Sequence, residues 1–409
     1  MKICFVASTY PKHETDGSAR FIRSLAESVA DWGHEVHVLI PYRSDLNLRG
    51  NRVLVHTFRY TWSTSLEVMG YASAMHSDTR LRPLSYMLAP TFAVSEAAAL
   101  LNLQRQHQFD VIHAHWIVPN GVIAAGVAQL TNRPLVVSLH GSDIFVAKRN
   151  TLLGAFAARA FRRCAAVTAC SPELEAGALA LHADPQKLRL IAWGADPNIF
   201  QGAVEKRLAL RRHLGLSPSQ PVILSLGRLV RKKGIADLIQ AMPQVLAVMP
   251  NAVCLVAGDG SERSHLEALV QSLGVAQQVQ FLGQVAWPTT PDLLAACDVF
   301  VVPSIHDENG NVDGLPTTIP EAMAAGRPVI ATRVAGVELA IEHGVHGLLV
   351  TEKDITGLAQ SLILVLSQPQ VGKALGDNAH RRVVTSLNWR EVARQFVTIY
   401  QESLGNAQS

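Results

Sequence analysis

The sequence is poor in the features that mark several whole classes of protein. Its 409 residues include five cysteines, Cys4, Cys164, Cys170, Cys254 and Cys297, with no CxxC pair. Three of the five stand in or beside apolar strand-like runs, so reduced, buried thiols are expected. There is no low-complexity tract, and a chain that is 48% hydrophobic and 17% charged is not a disordered one. Aromatic residues make up only 6%, the net charge is +3, and no dense Lys/Arg run follows an aromatic-rich sheet, so nucleic acid is not an expected partner. The positive excess falls mainly in the first half, a bias that can favour peripheral contact with an anionic membrane surface but is usually just solubility. No uncharged apolar run reaches the length of a membrane span. The opening MKICFVAS carries one basic residue and a short apolar stretch before Thr9-Tyr10-Pro11, so it reads as a first β-strand and not as a signal peptide. The expected location is cytoplasmic, with any membrane contact peripheral at the inner face.

What the sequence does contain is rhythm. Short runs of Val, Ile and Leu alternate with longer amphipathic segments, the pattern of parallel strands covered on both faces by crossover helices. Strands are expected at 3–7, 36–40, 53–58, 111–113, 135–139, 166–169 and 188–191, then at 222–226, 253–257, 279–281, 299–302, 329–331 and 347–350. The rhythm breaks between Trp193 and Leu216, where Gly194, Pro197 and Gly202 precede a charged stretch ending Arg211-Arg212-His213. A domain junction is expected there, dividing the chain into residues 1–200, completed by about 386–409, and residues 201–385. The fold class is α/β, two Rossmann-like domains. The tail from Trp389 to Leu404 has Trp389, Val392, Phe396, Ile399 and Tyr400 at helical spacing. Residues 61–90 carry no pattern beyond helices and loops.

In open α/β sheets ligands bind beyond the C-terminal ends of the strands, so polar residues just after strand runs are the first candidates. Ser8-Thr9-Tyr10 and Asp16-Gly17-Ser18 could offer backbone N–H groups to an anion or sugar, with a plain loop and helix cap as the equal alternative. His140-Gly141-Ser142-Asp143 puts a histidine and a carboxylate at the mouth of the sheet, although histidines near strand ends are more often structural. His113 and His115 share a face if the strand continues through them, but no third metal ligand stands nearby in sequence. Arg228 and, past Lys232, Lys233 follow the first strand of the second half, and two cations there suit a diphosphate, against the alternative of a solvated basic loop. Gly258-Asp259-Gly260 is no dinucleotide fingerprint, because Arg263 occupies the place of the third glycine, which counts against a dehydrogenase. The most specific segment is 313–326, DGLPTTIPEAMAAG: a turn leading into a short helix near Pro320, with Glu321 placed to accept hydrogen bonds from ribose hydroxyls.

Together these segments resemble the retaining, GT-B-fold glycosyltransferases of family 4. The resemblance rests on the Asp16-Gly17 loop, FDVIHAHW (109–116), LHGSD (139–143), GRLVRKKG (227–234), VAGDG (256–260), FLGQV (281–285), DGLPTTIPEAMAAGRPVIAT (313–332) and the closing NWREVARQFVTIY (388–400). It implies two domains facing across a cleft, with the last helix crossing back to the first domain. It also implies that Arg228 and Lys233 hold the diphosphate of a nucleotide-sugar donor, that Gly314, Leu315 and Thr317 contact phosphate and sugar, and that Glu321 binds the ribose. Gly17 would belong to the donor site, while His140 and Asp313 would be catalytic. Asp313 replaces the first glutamate of the family's paired-carboxylate motif, and Gly17 stands alone where many members have adjacent glycines. UDP is the expected nucleotide and a hydroxyl the acceptor, a lipid-linked saccharide being one candidate; neither a metal nor a further cofactor is expected. A sugar-nucleotide epimerase or hydrolase of the same architecture is the nearest rival, and a non-catalytic sugar-binding protein a more distant one.

Overall fold

The computed structural model describes residues 1–71, 75–77, 80–200 and 204–408. The chain forms two units, Met1–Ile191 with Trp389–Ser409, and Ala192–Asn388. The sequence-based boundaries stood at 200/201 and 385/386. Within the second unit Ala195 bridges to Asn388, which ties the two crossing segments together.

The first unit carries β1 (Lys2–Val6), β2 (Glu35–Pro41), β3 (Leu54–Phe58), the short strands β4 (Met75–Ser77) and β5 (Arg80–Leu81), then β6 (Val111–His115), β7 (Leu135–Leu139), β8 (Ala166–Ala169) and β9 (Leu188–Leu190). Seven of them form one sheet in the order β3-β2-β1-β6-β7-β8-β9, while β4 and β5 pair separately. The second unit has β10 (Val222–Leu226), β11 (Val253–Ala257), β12 (Val279–Gly283), β13 (Val299–Val302), β14 (Val329–Thr332) and β15 (Leu348–Val350). Their order is β12-β11-β10-β13-β14-β15. Every neighbouring pair in both large sheets is parallel. Such strands are buried on both faces, which is why Ile3, Cys4, Phe5 and Val6 all lie fully inside and why the sequence shows continuous apolar runs instead of alternation. Every strand expected from the sequence is present. The pair β4 and β5 falls in the segment that carried no pattern.

Both sheets reverse their winding beside the first strand, between β1 and β6 and between β10 and β13. At such a switch point the loops leave in opposite directions and open a crevice at the strands' C-terminal ends. The topology therefore singles out the loops after β1, β6, β10 and β13.

The last helix, Trp389–Gln408, belongs to the first unit. Its stripe Val392, Phe396, Ile399 and Tyr400 is buried. Trp32 Nε1 donates to Arg390 O at 3.0 Å, and the Tyr400 hydroxyl lies 2.8 Å from His113 Nδ1. The charged stretch at the expected domain junction forms a helix, Val204–His213. Arg211 on it is 1% exposed, pairs with Asp298 at 2.7 Å and donates to Ala296 O at 2.9 Å.

Helix Pro83–His107 is long and apolar enough to cross a membrane by length and composition, yet Ser85, Phe92, Glu96, Leu100 and Leu103 recur along one buried face of it. Glu96 is fully buried, and neither carboxyl oxygen has a hydrogen-bond partner among the described residues. Burial pushes its pKa up to about 8. A folded-state pKa raised above the ordinary carboxylate value means that stability is full at low pH and is lost as pH rises through about 8. Relative to Glu96→Gln, the wild-type chain should lose about 2 kcal/mol between roughly pH 6 and 7.5, at about 1.4 kcal/mol per pH unit. Denaturant unfolding of both proteins across that range measures it, and parallel stability curves would show that Glu96 is ionised when folded.

Candidate active site

In the second unit β10 ends at Leu226 and the chain runs through Gly227-Arg228 and a single tight turn, Arg231–Lys233, into helix Ile235–Val248. Gly234 joins turn to helix at φ 64°, where a Cβ would stand 1.7 Å from the carbonyl oxygen of Pro303, the residue after β13. Gly258, after β11, has φ 143°, and a Cβ there would meet Gly227 O at 1.8 Å. Only glycine allows this approach, so these two positions let the loops after β10, β11 and β13 close on one another at the switch point.

Four cations stand in this loop: exposed Arg228 and Arg231, buried Lys232 and half-buried Lys233. Asp313 gathers two of them. Lys232 Nζ lies 3.2 Å from Oδ1 and Lys233 Nζ 2.6 Å from Oδ2. Burial alone would raise the Asp313 pKa, but the two ammonium groups outweigh it and hold the carboxyl well below the usual carboxylate range. Gly314 and Leu315 follow, both buried, then half-buried Thr317. The next helix is Thr318–Ala324, with Glu321 half-buried in its first turn. It begins two residues before the expected Pro320, because Thr317 is already helical at φ −62°, ψ −24°.

In the first unit His140 follows β7. Its Nε2 lies 3.1 Å from His115 Nδ1, and its ring packs against Trp116 and Phe21 with centroid separations of 4.6 and 4.9 Å. Burial, reinforced by His115, holds His140 well below the usual imidazole range, so the ring is neutral at pH 7 and can exchange hydrogen bonds without carrying charge. Asp143, read from the sequence as a possible partner in chemistry, is a loop tie. Its carboxylate accepts from Gly141 N and Ile117 N, both at 2.9 Å, and so fastens the loop after β7 to the loop after β6. His113 and His115 do share a strand face, with ring centroids 4.3 Å apart. His113 is bound on one side to Tyr400 and on the other to Ser138 Oγ at 2.8 Å, so it belongs to a buried polar chain.

The loop holding Gly17 is braced by Asp16. Its carboxylate accepts from Ser18 N and Lys12 N, both at 2.9 Å. Gly17 stands exposed beside it. Of the residues singled out from the sequence, the structure brings Asp313 and Lys233 into contact. Arg228, Gly314, Leu315, Thr317 and Glu321 share their unit, and Gly17 and His140 lie in the other.

Two family models account for most of the chain. "Glycosyltransferase Family 4" matches residues 15–199 and "Glycosyl transferases group 1" matches residues 206–382. The chain belongs to the GT-B glycosyltransferases. An uncharacterised glycosyltransferase of Methanocaldococcus jannaschii is 29% identical, with 98% of each chain covered. N-acetyl-alpha-D-glucosaminyl L-malate synthase of Bacillus anthracis is 25% identical over 99% of this chain and 98% of its own. The same fold occurs in Anabaena HepE, solved in complex with UDP, at TM-score 0.75 and 22% identity, covering 98% of this chain and all 100% of that one.

Two features of this glycosyltransferase were missed in the sequence. Lys232 counted only as a position between Arg228 and Lys233, yet it is buried at 6% exposure against Asp313. The signal was present, since adjacent lysines on a tight turn can both reach one carboxylate. The acidic stretch 307–310, which entered none of the motifs, is a self-closed turn. Asp307 Oδ1 accepts from Asn309 N at 2.8 Å and Asn311 N at 2.9 Å, while Glu308 pairs with Arg231 at 3.2 Å.

Proposed function

We propose that this glycosyltransferase is a hexosyltransferase that moves a sugar from a nucleoside-diphosphate donor, with UDP as the default nucleotide, to a hydroxyl acceptor with retention at the anomeric carbon. The observation that carries the reading is the Lys232–Asp313–Lys233 cluster beside Arg228 at the switch point of the second sheet. In the reaction the bond between the anomeric carbon and the phosphate oxygen breaks, and its electron pair goes to the diphosphate. The acceptor oxygen bonds to the same carbon on the same face and passes its proton to the departing phosphate oxygen. Charge grows on the diphosphate as this happens, and cations fixed beforehand stabilise it most at the transition state. Arg228 offers a fork for phosphate oxygens and Lys233 a point charge, so the positive charge comes from side chains and the reaction is assigned as metal-independent. Asp313 holds both ammonium groups in place. Glu321 is assigned to the ribose, the backbone from Gly314 to Thr317 to phosphate and sugar, and Gly17 to the donor. His140, as a neutral ring, is assigned to a sugar hydroxyl. The acceptor class extends to lipid-linked saccharides, which would place the enzyme at the inner membrane face.

Incubation of the enzyme with UDP-hexose and a panel of hydroxyl acceptors, followed by NMR of the anomeric proton, tests the reading. The expected product keeps the donor's anomeric configuration and forms in the presence of a chelator. An inverted product would remove retention, and consumption of donor at the same rate without acceptor would assign a hydrolase or epimerase instead.

A further inference from the structure

Three histidines far apart in sequence converge in the first unit, away from the loops that follow β1 and β6. His37 lies on β2, His56 on β3, and His107 ends helix Pro83–His107, which leads into the start of β6. One potential ligand nitrogen from each lies within 4.8 Å of the other two. His37 Nδ1 and His56 Nε2 are 2.8 Å apart on rings stacked at 10°. The His107 ring centroid is 4.3 Å from that of His37. On the far side of His37, Nε2 lies 3.0 Å from Glu35 Oε1. A carboxylate there fixes the proton on Nε2 and leaves the Nδ1 lone pair facing the other two histidines. This is the carboxylate–histidine arrangement that orients metal-bound imidazoles and raises their basicity.

We propose that His37, His56 and His107, with Glu35 orienting His37, bind one divalent first-row transition ion of the zinc class, a site separate from the glycosyl-transfer machinery. Tetrahedral Zn–N bonds of about 2.0–2.1 Å set ligand nitrogens a little over 3 Å apart, so small ring rotations suffice to receive the ion. The His37–His56 hydrogen bond would be replaced by two bonds to metal. His37 is buried while His56 and His107 are half-buried, which leaves a route for the ion and room for a water as fourth ligand. Imidazole suits zinc, copper and nickel, and carboxylate-preferring Mg²⁺ and Ca²⁺ are not expected. The ion would pin the edge strand β3 and its neighbour β2 to the C-terminal end of the long helix.

Metal-stripped full-length protein is titrated with Zn²⁺ by thermal shift and with Co²⁺ by visible absorption. One equivalent should raise the melting temperature, and bound Co²⁺ should give the d–d bands of a tetrahedral nitrogen site. His56→Gln and His107→Gln should each abolish both signals, and Glu35→Gln should weaken binding about 10–100-fold. His107 sits half-buried at a helix end, so its variant remains folded and keeps the test decisive if His56→Gln does not. No shift with Zn²⁺, or the same shift and absorption in His107→Gln, would overturn the site.

Discussion

Lys233→Ala should lower turnover roughly 10²–10³-fold, the loss seen when one preorganised donor to a developing oxyanion is removed. The effect belongs on kcat more than on KM, because the diphosphate gains charge only as the glycosidic bond breaks. Arg228→Ala should do the same by a different route, losing a bidentate fork instead of a point charge, and Arg228→Lys should recover only part of it. Asp313 gives this prediction an internal check. Its carboxylate grips both Lys232 and Lys233, so Asp313→Asn removes the counter-charge that these two largely buried ammonium groups share and should lower turnover and melting temperature together. Single-turnover rates on donor and acceptor, alongside melting curves, separate these cases. Wild-type turnover in Lys233→Ala or Arg228→Ala would remove that residue from the mechanism.

Arg211→Ala should cost about 3–5 kcal/mol of stability, the range for breaking a buried ion pair by removing one partner. Arg211 is almost wholly buried and donates to Ala296 O, Pro218 O and Gln220 O as well as to Asp298. Its removal strands these three carbonyls and, among the described residues, leaves Asp298 with Arg207 as its cationic partner. Arg212, next to it, is exposed, and Arg212→Ala should change stability by less than about 0.5 kcal/mol. Two adjacent arginines in one helix thus differ several-fold in effect, which urea denaturation can resolve. Similar midpoints for the two variants would mean that the Asp298 network does not hold this helix to its sheet.

The thirteen strands of the two large sheets were legible because burial on both faces forces continuous runs of Val, Ile and Leu, a signal that depends on local sequence alone. The closing helix was legible for the same kind of reason, through the 3.6-residue spacing of Val392, Phe396 and Tyr400. The unread parts depend on partners distant in the chain. Arg211 looks like part of a polar linker until Asp298, 87 positions away, neutralises it. His37, His56 and His107 carry no local motif and meet only when β2, β3 and a helix end are packed together. Asp143 shows the reverse error, since a carboxylate beside a histidine at a strand end invites a chemical reading, while its hydrogen bonds to Ile117 and Gly141 reveal a tie between two loops. In the candidate site, residue types and topological position gave Arg228 and Lys233, and the family resemblance gave Asp313. The ion pairs that join Asp313 to two lysines needed coordinates.

The central claim is that the second unit binds a nucleoside diphosphate through its lysine–aspartate cluster. The most direct test is a thermal-shift panel of UDP, GDP, ADP and NAD on the wild type, repeated on Lys233→Ala and Glu321→Ala. One nucleoside diphosphate, at about 100 times its Kd, should stabilise the wild-type protein by about 2.7 kcal/mol and neither variant to that extent. A shift with NAD alone, or a diphosphate shift left intact in both variants, would contradict the account.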